Sequence, residues 1–271
     1  MNRAPSLFVS HGSPMFALQP GKLGPQLRAL GEHLLPGSAS SKALRPGGTV
    51  VALLVLSPHW STDQLMLTSA PRPSTIYDFY GFDPALNRLK HPASGDPALA
   101  AEIAADLAGH GLAVGLDPER GLDHGAWVPL RYLDPQARLP VLQLSLPRSL
   151  DAASALSLGQ ALAGLREREV MIIGSGSLTH NLYEFRRPVA DPQYAQRFAE
   201  WIRDAVLRRD LDALLNYRQR APQAVRAHPS EEHLLPLLVA VGASSDNEPV
   251  RWIEGGITDQ VISMDSVGFG I

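Results

Sequence analysis

Three apolar segments of this sequence each lead to a histidine. Residues 7–11 read LFVSH, residues 50–59 read VVALLVLSPH and residues 170–180 read VMIIGSGSLTH. Apolar runs rich in β-branched residues are typical of strands that are covered on both faces. In open α/β sheets, ligands and catalytic groups collect beyond the carboxyl ends of the strands. We therefore expect the three histidines to share one site at one edge of a sheet, namely His11, His59 and His180.

The residue types available restrict the chemistry of such a site. The chain has 271 residues and no cysteine, which excludes disulfides, thiolate nucleophiles and thiolate metal ligands. A metal ion would be held by nitrogen and oxygen atoms, and imidazole suits zinc, copper, iron and nickel. A lone histidine at the end of a strand is usually an ordinary loop residue. Three histidines in matching positions favour a set of converging ligands.

A fourth histidine lies in GLDHGAWVPLR, residues 121–131, which we interpret as a turn-rich stretch. His124 follows Asp123 there. Because an unperturbed imidazole titrates near neutral pH, His124 is either a turn residue or an acid/base group. Three other histidines lack supporting context and are predicted to lie on the surface: His33, His91 and His110.

Two more histidines occur in AHPSEEHLLPL. His228 precedes a proline and is expected to help form a turn. A helix is predicted over residues 230–241, and its first turn would hold Glu231 and Glu232, as the helix dipole favours. His233 lies on or beside this helix and could point into the same cleft. The two glutamates are either competing ligands or ordinary first-turn acids.

We interpret the glycine-rich segment GSGSLTHN as a turn that places His180 in a site, and not as a phosphate-binding loop or a serine-nucleophile motif. Gly174 and Gly176 predict a sharp turn after the strand. The segment lacks the third glycine of a dinucleotide fingerprint and the Lys-Ser/Thr of a P-loop. A serine nucleophile at Ser175 or Ser177 would require GxSxG, which is not present here.

Composition excludes several classes of partner. The net charge is −3 and neither sign forms a long run, so neither nucleic acid nor an anionic membrane surface is an expected partner. The longest apolar runs fall below the ~18 residues that span a bilayer, and the N-terminus lacks the apolar core of a signal peptide. We expect a cytoplasmic protein. The sequence does not indicate its oligomeric state.

Predicted strands and helices alternate along the chain, which favours a layered α/β fold. No repeat or long linker divides it, so we expect a single domain over residues 1–271. Residues 71–84, which include TIYDFYGF, predict an ordered loop. The predicted strands are residues 7–10, 49–56, 64–69, 139–146, 170–174, 251–253 and 260–267, and the other predicted helices are residues 22–35, 97–111, 157–167 and, as one helix or two, 191–215.

Five motifs together resemble a known family. They are SHGSP around His11, SPHW around His59, LDHGAW around His124, GSGSLTHNL around His180 and PSEEHLLPL around His233. In this order they resemble the LigB-type class III extradiol ring-cleavage dioxygenases, and more closely the DOPA 4,5-dioxygenase-like branch. STIYDFYGF, residues 74–82, is also similar to that branch. Each motif alone is weak, but five in order over nearly the whole chain are specific.

The resemblance implies a three-layer α/β/α domain with a central, mostly parallel or mixed sheet. It implies cleavage of a catechol, such as DOPA, with O2 at a non-haem Fe(II) site that zinc can also occupy. His11 and His59 match the metal-binding histidines. His233 stands where the wider family has a carboxylate ligand, which leaves Glu232 as an alternative.

The same resemblance assigns two acid/base candidates. His180 matches a histidine that acts as acid or base in the wider family and as a possible additional ligand in this branch. His124 matches a histidine near the substrate. The partners would be a small aromatic diol and O2, with the ring walled by Tyr77, Phe79 and Phe82, although simple loop packing explains these aromatics nearly as well. Two other functions stay open, a zinc-dependent hydrolase and a non-enzymatic metal- or ligand-binding relative.

Overall fold

The structure is a computed structural model that describes residues 3–36 and 50–271. Residue 49, at the start of one predicted strand, lies outside them. The strands are β1 (Ser6–Ser10), β2 (Ala52–Thr62), β3 (Leu65–Thr68), β4 (Val114–Asp117), β5 (Val141–Pro147), β6 (Val170–Gly176), β7 (Val250–Ile253), β8 (Ile257–Thr258), β9 (Ile262–Ser263) and β10 (Ser266–Phe269). The helices are α1 (Leu23–Leu34), α2 (Pro97–Gly109), α3 (His124–Leu133), α4 (Ala152–Leu162), α5 (Gln193–Leu207), α6 (Leu211–Leu215), α7 (Tyr217–Arg220), α8 (Ala224–Ala227) and α9 (Leu235–Gly242).

The main sheet has the strand order β4-β3-β5-β2-β6-β1-β10-β7, and β8 and β9 form a separate hairpin. Strands β5, β2, β6 and β1 run parallel to one another, while β10 pairs antiparallel with both of its neighbours, β1 and β7. The sheet is therefore mixed, as the sequence predicted. Leu56 of β2 pairs with Gly174 of β6, and Ser10 of β1 pairs with Gly176. The carboxyl ends of these three strands consequently lie side by side.

Adjacent residues of β6 show that helices cover both faces of the sheet. The Cα of Gly174 faces the start of α9, because a Cβ there would lie 2.1 Å from the carbonyl oxygen of Pro236. The next side chain, Ser175, donates a hydrogen bond to the carbonyl oxygen of Gly125 in α3. Successive residues of a strand point to opposite faces. Helices α9 and α3 therefore lie on opposite sides, which confirms the predicted three-layer α/β/α fold.

The glycines of β6 have a different role from the predicted one. Strand β6 continues through Gly176, so neither glycine forms a turn. A Cβ on Gly176 would lie 2.2 Å from the carbonyl oxygen of His233. These two positions need glycine because the first turn of α9 and the segment before it pass directly over the strand, and a side chain would push them away.

Several predicted boundaries are wrong. The helix predicted over residues 157–167 begins earlier, at Ala152, and the strand predicted over residues 260–267 is divided between β9 and β10. Two other differences have identifiable local reasons. Residues 124–133 are helical rather than turn-rich, because Asp123 caps α3 by accepting a hydrogen bond from the N–H of Ala126. Helix α9 begins at Leu235, not at residue 230, which places Pro236 in the first turn where its missing N–H is tolerated. Glu231 and Glu232 therefore precede the helix instead of lying in its first turn.

Strand β2 also extends further than predicted, to Thr62. Its pairing with β5 is interrupted between Leu56 and Ser61. Pro58 lies in this interruption and has no N–H to donate to a ladder. His59 is therefore held in an irregular part of the strand and not in a loop after it. Among the described residues, no helix is long and apolar enough to cross a membrane.

Candidate metal and substrate site

Two of the predicted histidines meet where β1 ends and where β2 becomes irregular. His11 follows β1 directly, and its N–H donates to the carbonyl oxygen of Gly176 at 3.0 Å. The Nε2 atoms of His11 and His59 lie 3.1 Å apart. This is about the spacing of two imidazole nitrogens that each lie ~2.1 Å from a shared ion.

The third member of this group is His233, from the segment that crosses β6 before α9. Its carbonyl oxygen accepts a hydrogen bond from the N–H of Ser177 at 2.9 Å. His11, His59 and His233 each offer a ring nitrogen within 4.8 Å of the other two. These three residues, called the histidine cluster below, could hold a metal ion.

Hydrogen bonds fix which nitrogen of His11 is free. Its Nδ1 lies 3.0 Å from Ser175 Oγ. The Ser175 hydroxyl donates its only hydrogen to the carbonyl oxygen of Gly125. That carbonyl is available because the residue four positions later, Pro129, has no N–H. Ser175 must therefore accept from His11 Nδ1, which leaves Nε2 unprotonated and able to bind a metal.

His233 has the same arrangement with a different partner. Its Nδ1 lies 3.0 Å from Glu232 Oε1, and a carboxylate oxygen only accepts, so Nδ1 carries the proton. The Nε2 atom is buried and has no hydrogen-bond partner. Because an unpaired buried polar atom is costly, this orphan nitrogen fits a bound ion. Glu232 itself also accepts from Ser230 Oγ at 3.0 Å, behind the histidine ring.

Burial keeps the cluster uncharged. It lowers the pKa of His59 to about 3, helped by the neighbouring His124 and opposed by Asp78. Burial likewise holds the pKa values of His11 and His233 well below the usual range, and the neighbouring histidines lower them further. The three imidazoles are therefore neutral at neutral pH, as metal binding requires.

His180 packs against the histidine cluster but does not belong to the group formed by His11, His59 and His233. Its ring stacks on that of His233, with centroids 3.4 Å apart and planes inclined by 10°. Its N–H donates to the carbonyl oxygen of Ala227 at 2.8 Å, which fixes the loop after β6. Burial lowers the pKa of His180 to about 4, and Glu232 opposes that shift. His180, Glu232 and His233 form a second group that could hold a metal ion.

His124 is the first residue of α3, and its ring centroid lies 4.0 Å from that of His59. Its partner is Asp78, which the sequence reasoning missed. The Asp78 Oδ1 accepts from the His124 N–H and Oδ2 from Nδ1, each at 2.9 Å. The sequence neighbour Asp123 instead caps the helix and accepts from Gln143. The signal available in the sequence was that Asp78 is an acidic residue inside the aromatic stretch TIYDFYGF.

Burial acts to raise the pKa of Asp78, but the hydrogen bonds and charge of His124 outweigh it. The pKa of this carboxyl group is therefore held below its usual value. Asp78 is an anion at neutral pH and accepts hydrogen bonds through both oxygens.

Asp78 belongs to the aromatic loop, residues 71–84. Phe79 is the aromatic residue that contacts the histidines, since its ring lies 5.8 Å from that of His124 at 90°. Phe82 and Tyr77 pack edge-on against Phe79 at 6.1 and 6.2 Å. The Tyr77 hydroxyl donates to the carbonyl oxygen of Leu89 at 2.7 Å, just after the loop, so the hydroxyl is used in a backbone contact.

Four histidines lie away from the cluster. His33 and His110 are exposed, as predicted. The prediction for His91 is wrong, since its side chain is buried with only 2% exposure. Its N–H points to Thr75 Oγ1 at 3.3 Å, so the fold of the aromatic loop covers it. His228 is also buried, and its Nε2 donates to the carbonyl oxygen of Leu178 at 2.7 Å.

The structure has a cavity of about 310 Å³, and the first residue of its lining, Ser13, is two positions after His11 in the sequence. Its walls come from residues 13–23 on one side and from residues 255–264, around the β8–β9 hairpin, on the other. This volume is at the lower end of the range for small-molecule sites.

Comparison with known proteins agrees with this geometry. A sequence model of the catalytic LigB subunit of aromatic ring-opening dioxygenase matches residues 5–270. The chain belongs to the LigB family. Among its relatives, 4,5-DOPA dioxygenase extradiol of Beta vulgaris is 38% identical, with 97% of this chain and 96% of that protein covered. The protein of the same name from Escherichia coli K12 is 35% identical, with 99% and 95% covered.

Two further comparisons extend the family. Dioxygenase tasH of Hapsidospora irregularis is 36% identical over 98% of this chain and 84% of its own. The crystal structure of an uncharacterized Escherichia coli K12 protein superposes with a TM-score of 0.78 at 31% identity, covering 99% of this chain and 100% of that one. The chain is therefore an extradiol aromatic ring-opening dioxygenase that acts on an aromatic substrate with O2 and uses a metal. This decides against the hydrolase and the non-enzymatic alternatives.

Proposed function

We propose that this enzyme opens the ring of a catechol such as DOPA, beside the diol, at Fe(II) held by His11, His59 and His233. The observation that carries the proposal is the convergence of three neutral imidazoles, of which His11 and His233 have their Nε2 atoms free. The catechol is suggested by the relatives named 4,5-DOPA dioxygenase extradiol. We propose residues 1–271 as one catalytic domain.

We propose His233 rather than Glu232 as the third ligand. Glu232 Oε1 already accepts hydrogen bonds from His233 Nδ1 and Ser230 Oγ, so its role would be to orient the His233 ring. When bound, iron supplies the electron transfer that allows O2 to react with an aromatic diol. The same imidazoles also suit Zn(II), which has no such redox chemistry, so zinc would fill the site without supporting turnover.

His124 is proposed to accept a proton from the catechol. Its Nδ1 proton is held by Asp78, so its Nε2 is the atom that can act as a base. His180, stacked on His233, is proposed as a second acid/base group that can also coordinate in the resting enzyme. Phe79, supported by Tyr77 and Phe82, would lie beside the substrate ring.

Oxygen uptake tests the proposal. The protein is loaded with Fe(II) under anaerobic conditions and then mixed with O2 and a panel of catechols that includes DOPA. We expect consumption of O2 and formation of a yellow ring-opened product, with no uptake by zinc-loaded protein. No oxygen consumption with any catechol of the panel, by protein shown to contain iron, would contradict the proposal.

A further inference from the structure

One carboxylate contacts both histidines that face each other across the site. Asp78 Oδ1 accepts from the His124 N–H, and Oδ2 accepts from His124 Nδ1, each at 2.9 Å. The same Oδ2 lies 3.7 Å from Nδ1 of His59. Both rings therefore turn Nδ1 toward Asp78. Their opposite nitrogens, the Nε2 atoms, are the ones left for the chemistry of the site.

We propose that Asp78 is a positioning residue that fixes the orientation and tautomer of His124 and supports the orientation of His59. The inference rests on the proposed acid/base role of His124. An ionised carboxylate can only accept, so whenever the His124 ring carries a single proton, that proton must sit on Nδ1. The hydrogen bond to the His124 backbone N–H ties the same carboxylate to the start of α3. The ring cannot rotate without losing one of these two bonds.

Asp78 also connects His124, the proposed base, with Phe79, the aromatic residue proposed to lie beside the substrate ring. It lies between Tyr77 and Phe79 in the aromatic loop. The loop is held on α3 by a second hydrogen bond, from Trp127 Nε1 to the carbonyl oxygen of Ile76 at 2.9 Å. The segment that places Phe79 beside His124 therefore also sets the tautomer of His124. A displacement of the loop would disturb both functions together.

A second interpretation of the same atoms is a metal ligand, because His59, Asp78 and His124 offer ligand atoms within 4.8 Å of one another. The contacts favour positioning, since both oxygens of Asp78 already accept hydrogen bonds from His124. The two roles differ in their effect on metal content. Loss of a ligand removes the metal, whereas loss of a positioning residue leaves it bound.

Replacement by asparagine is the sharpest test. In Asp78→Asn the amide has one acceptor and one donor, and its NH2 group would donate to His124 Nδ1 and move the proton to Nε2. We expect kcat to fall by ~10²–10⁴-fold, as for loss of a general base. Iron content should stay at the wild-type level, and KM should change by less than about threefold, because uniform substrate binding is retained.

The matched control is Asp83→Asn in the same loop. Asp83 caps the short 3-10 helix Pro84–Arg88 through the N–H of Ala85 at 2.8 Å. Asparagine caps as well as aspartate, so this variant should keep wild-type kcat. An Asp78→Asn variant with wild-type kcat, or one that loses its metal, would overturn the positioning role.

Nitrogen NMR of histidine-labelled protein reads the tautomer without any turnover. The His124 signals are identified by their absence in His124→Gln. We expect the Nδ1–H form in the wild type, with or without added zinc, and the Nε2–H form in Asp78→Asn. An unchanged tautomer would refute the role of Asp78. If instead His124→Gln turns over normally while the tautomer does switch, the acid/base proposal for His124 fails and the positioning of its ring stands.

Discussion

The histidine cluster and the aromatic loop face each other across the site but are built in opposite ways. His11 directly follows the central strand β1, His59 lies in the central strand β2, and His233 lies on a segment packed against Gly176. The aromatic loop has almost no regular structure. It is joined to the rest of the chain by scattered hydrogen bonds, such as those of Asp78 and Tyr77, and by packing of its aromatic rings against the core. The geometry of metal ligands is thus set by the sheet, and the acid/base chemistry by a loop.

The two regions also differ in charge. The cluster contains buried imidazoles whose pKa values are lowered, so it is neutral and exposes free nitrogens. The loop contributes an anion, Asp78, whose pKa is held down by His124. A neutral, rigid group of donors is suited to binding a cation, and a carboxylate paired with an imidazole is suited to moving a proton. Variants on the two sides should therefore fail in different ways.

The largest effect is expected on the cluster side. Replacing His11 or His59 with Ala removes one of three converging donors, so stoichiometric metal binding and turnover should both be abolished. Elemental analysis after iron loading measures this directly. His33→Ala, at an exposed position, is the control and should keep full metal content. Full metal content in either cluster variant would show that the replaced residue is not a ligand.

For the two proposed acid/base residues, His124 beside the loop and His180 beside the cluster, we expect loss of rate without loss of metal. His124→Ala should retain metal and catechol binding while the single-turnover rate falls by ~10²–10⁴-fold. His180→Ala should behave in the same way but more weakly, with some loss of metal affinity if it also coordinates. Metal content and single-turnover rate are compared for each variant. A wild-type rate in His124→Ala would reduce His124 to a helix-terminal residue, and metal-free His180→Ala would make His180 a ligand.

A smaller effect is expected from the residue behind His11. Ser175→Ala removes the acceptor for His11 Nδ1, and loss of such a supporting hydrogen bond weakens metal affinity by about 10–100-fold. Competition with a chelator measures the affinity. Ser6→Ala is a matched control, since Ser6 is a buried serine of β1 that donates to Ala240 instead. Equal losses of affinity in both variants would mean that strand packing, and not the His11 tautomer, is responsible.

The smallest effect is expected on the pH dependence of the unfolding free energy, through His91, which the aromatic loop covers. Burial lowers the pKa of His91 to about 4, with Asp134 opposing and Arg131 adding to the shift. The unfolded chain therefore binds more protons between about pH 6.5 and pH 4, so stability is lost as the pH falls through that window. At pH 5 this amounts to about 2 kcal/mol from His91.

Urea unfolding of metal-free protein at pH 7 and pH 5 tests this. His91→Gln should reduce the loss of unfolding free energy between the two pH values by about 2 kcal/mol, whereas His33→Gln should leave it unchanged. An identical pH dependence in His91→Gln and wild type would show that His91 does not titrate as its burial implies.

The same contrast explains what could be predicted from the sequence. The apolar runs that lead to His11 and His59 are continuous, so both strands and the convergence of these histidines could be predicted, although β2 continues past His59. The residues alone suggested that His233 could point into the cleft, whereas its assignment as a metal ligand rested on the resemblance. Asp78 was not found, since its contact with His124 spans 46 residues and depends on how an irregular loop folds.

Other differences have equally local causes. Gly125 and Pro129 look like turn formers, yet α3 forms through them because Asp123 caps it and Ser175 uses the carbonyl that Pro129 leaves free. Gly174 was interpreted as a turn residue, whereas in the structure its missing side chain leaves room for the first turn of α9. In each case the deciding partner is distant in sequence. Local propensity therefore gave most of the long helices and strands, but it missed β4 and α3 and did not give the contacts between elements.

Labelled oxygen tests the central proposal most directly. Iron-loaded protein is allowed to turn over a catechol under ¹⁸O2, and the product is trapped by borohydride reduction before its aldehyde oxygen exchanges with water. Mass spectrometry should then show both atoms of one O2 molecule in a ring-opened product, with no labelled product from His11→Ala. Incorporation of one atom or none, or oxidation of the catechol with its ring intact, would contradict extradiol cleavage at the histidine cluster.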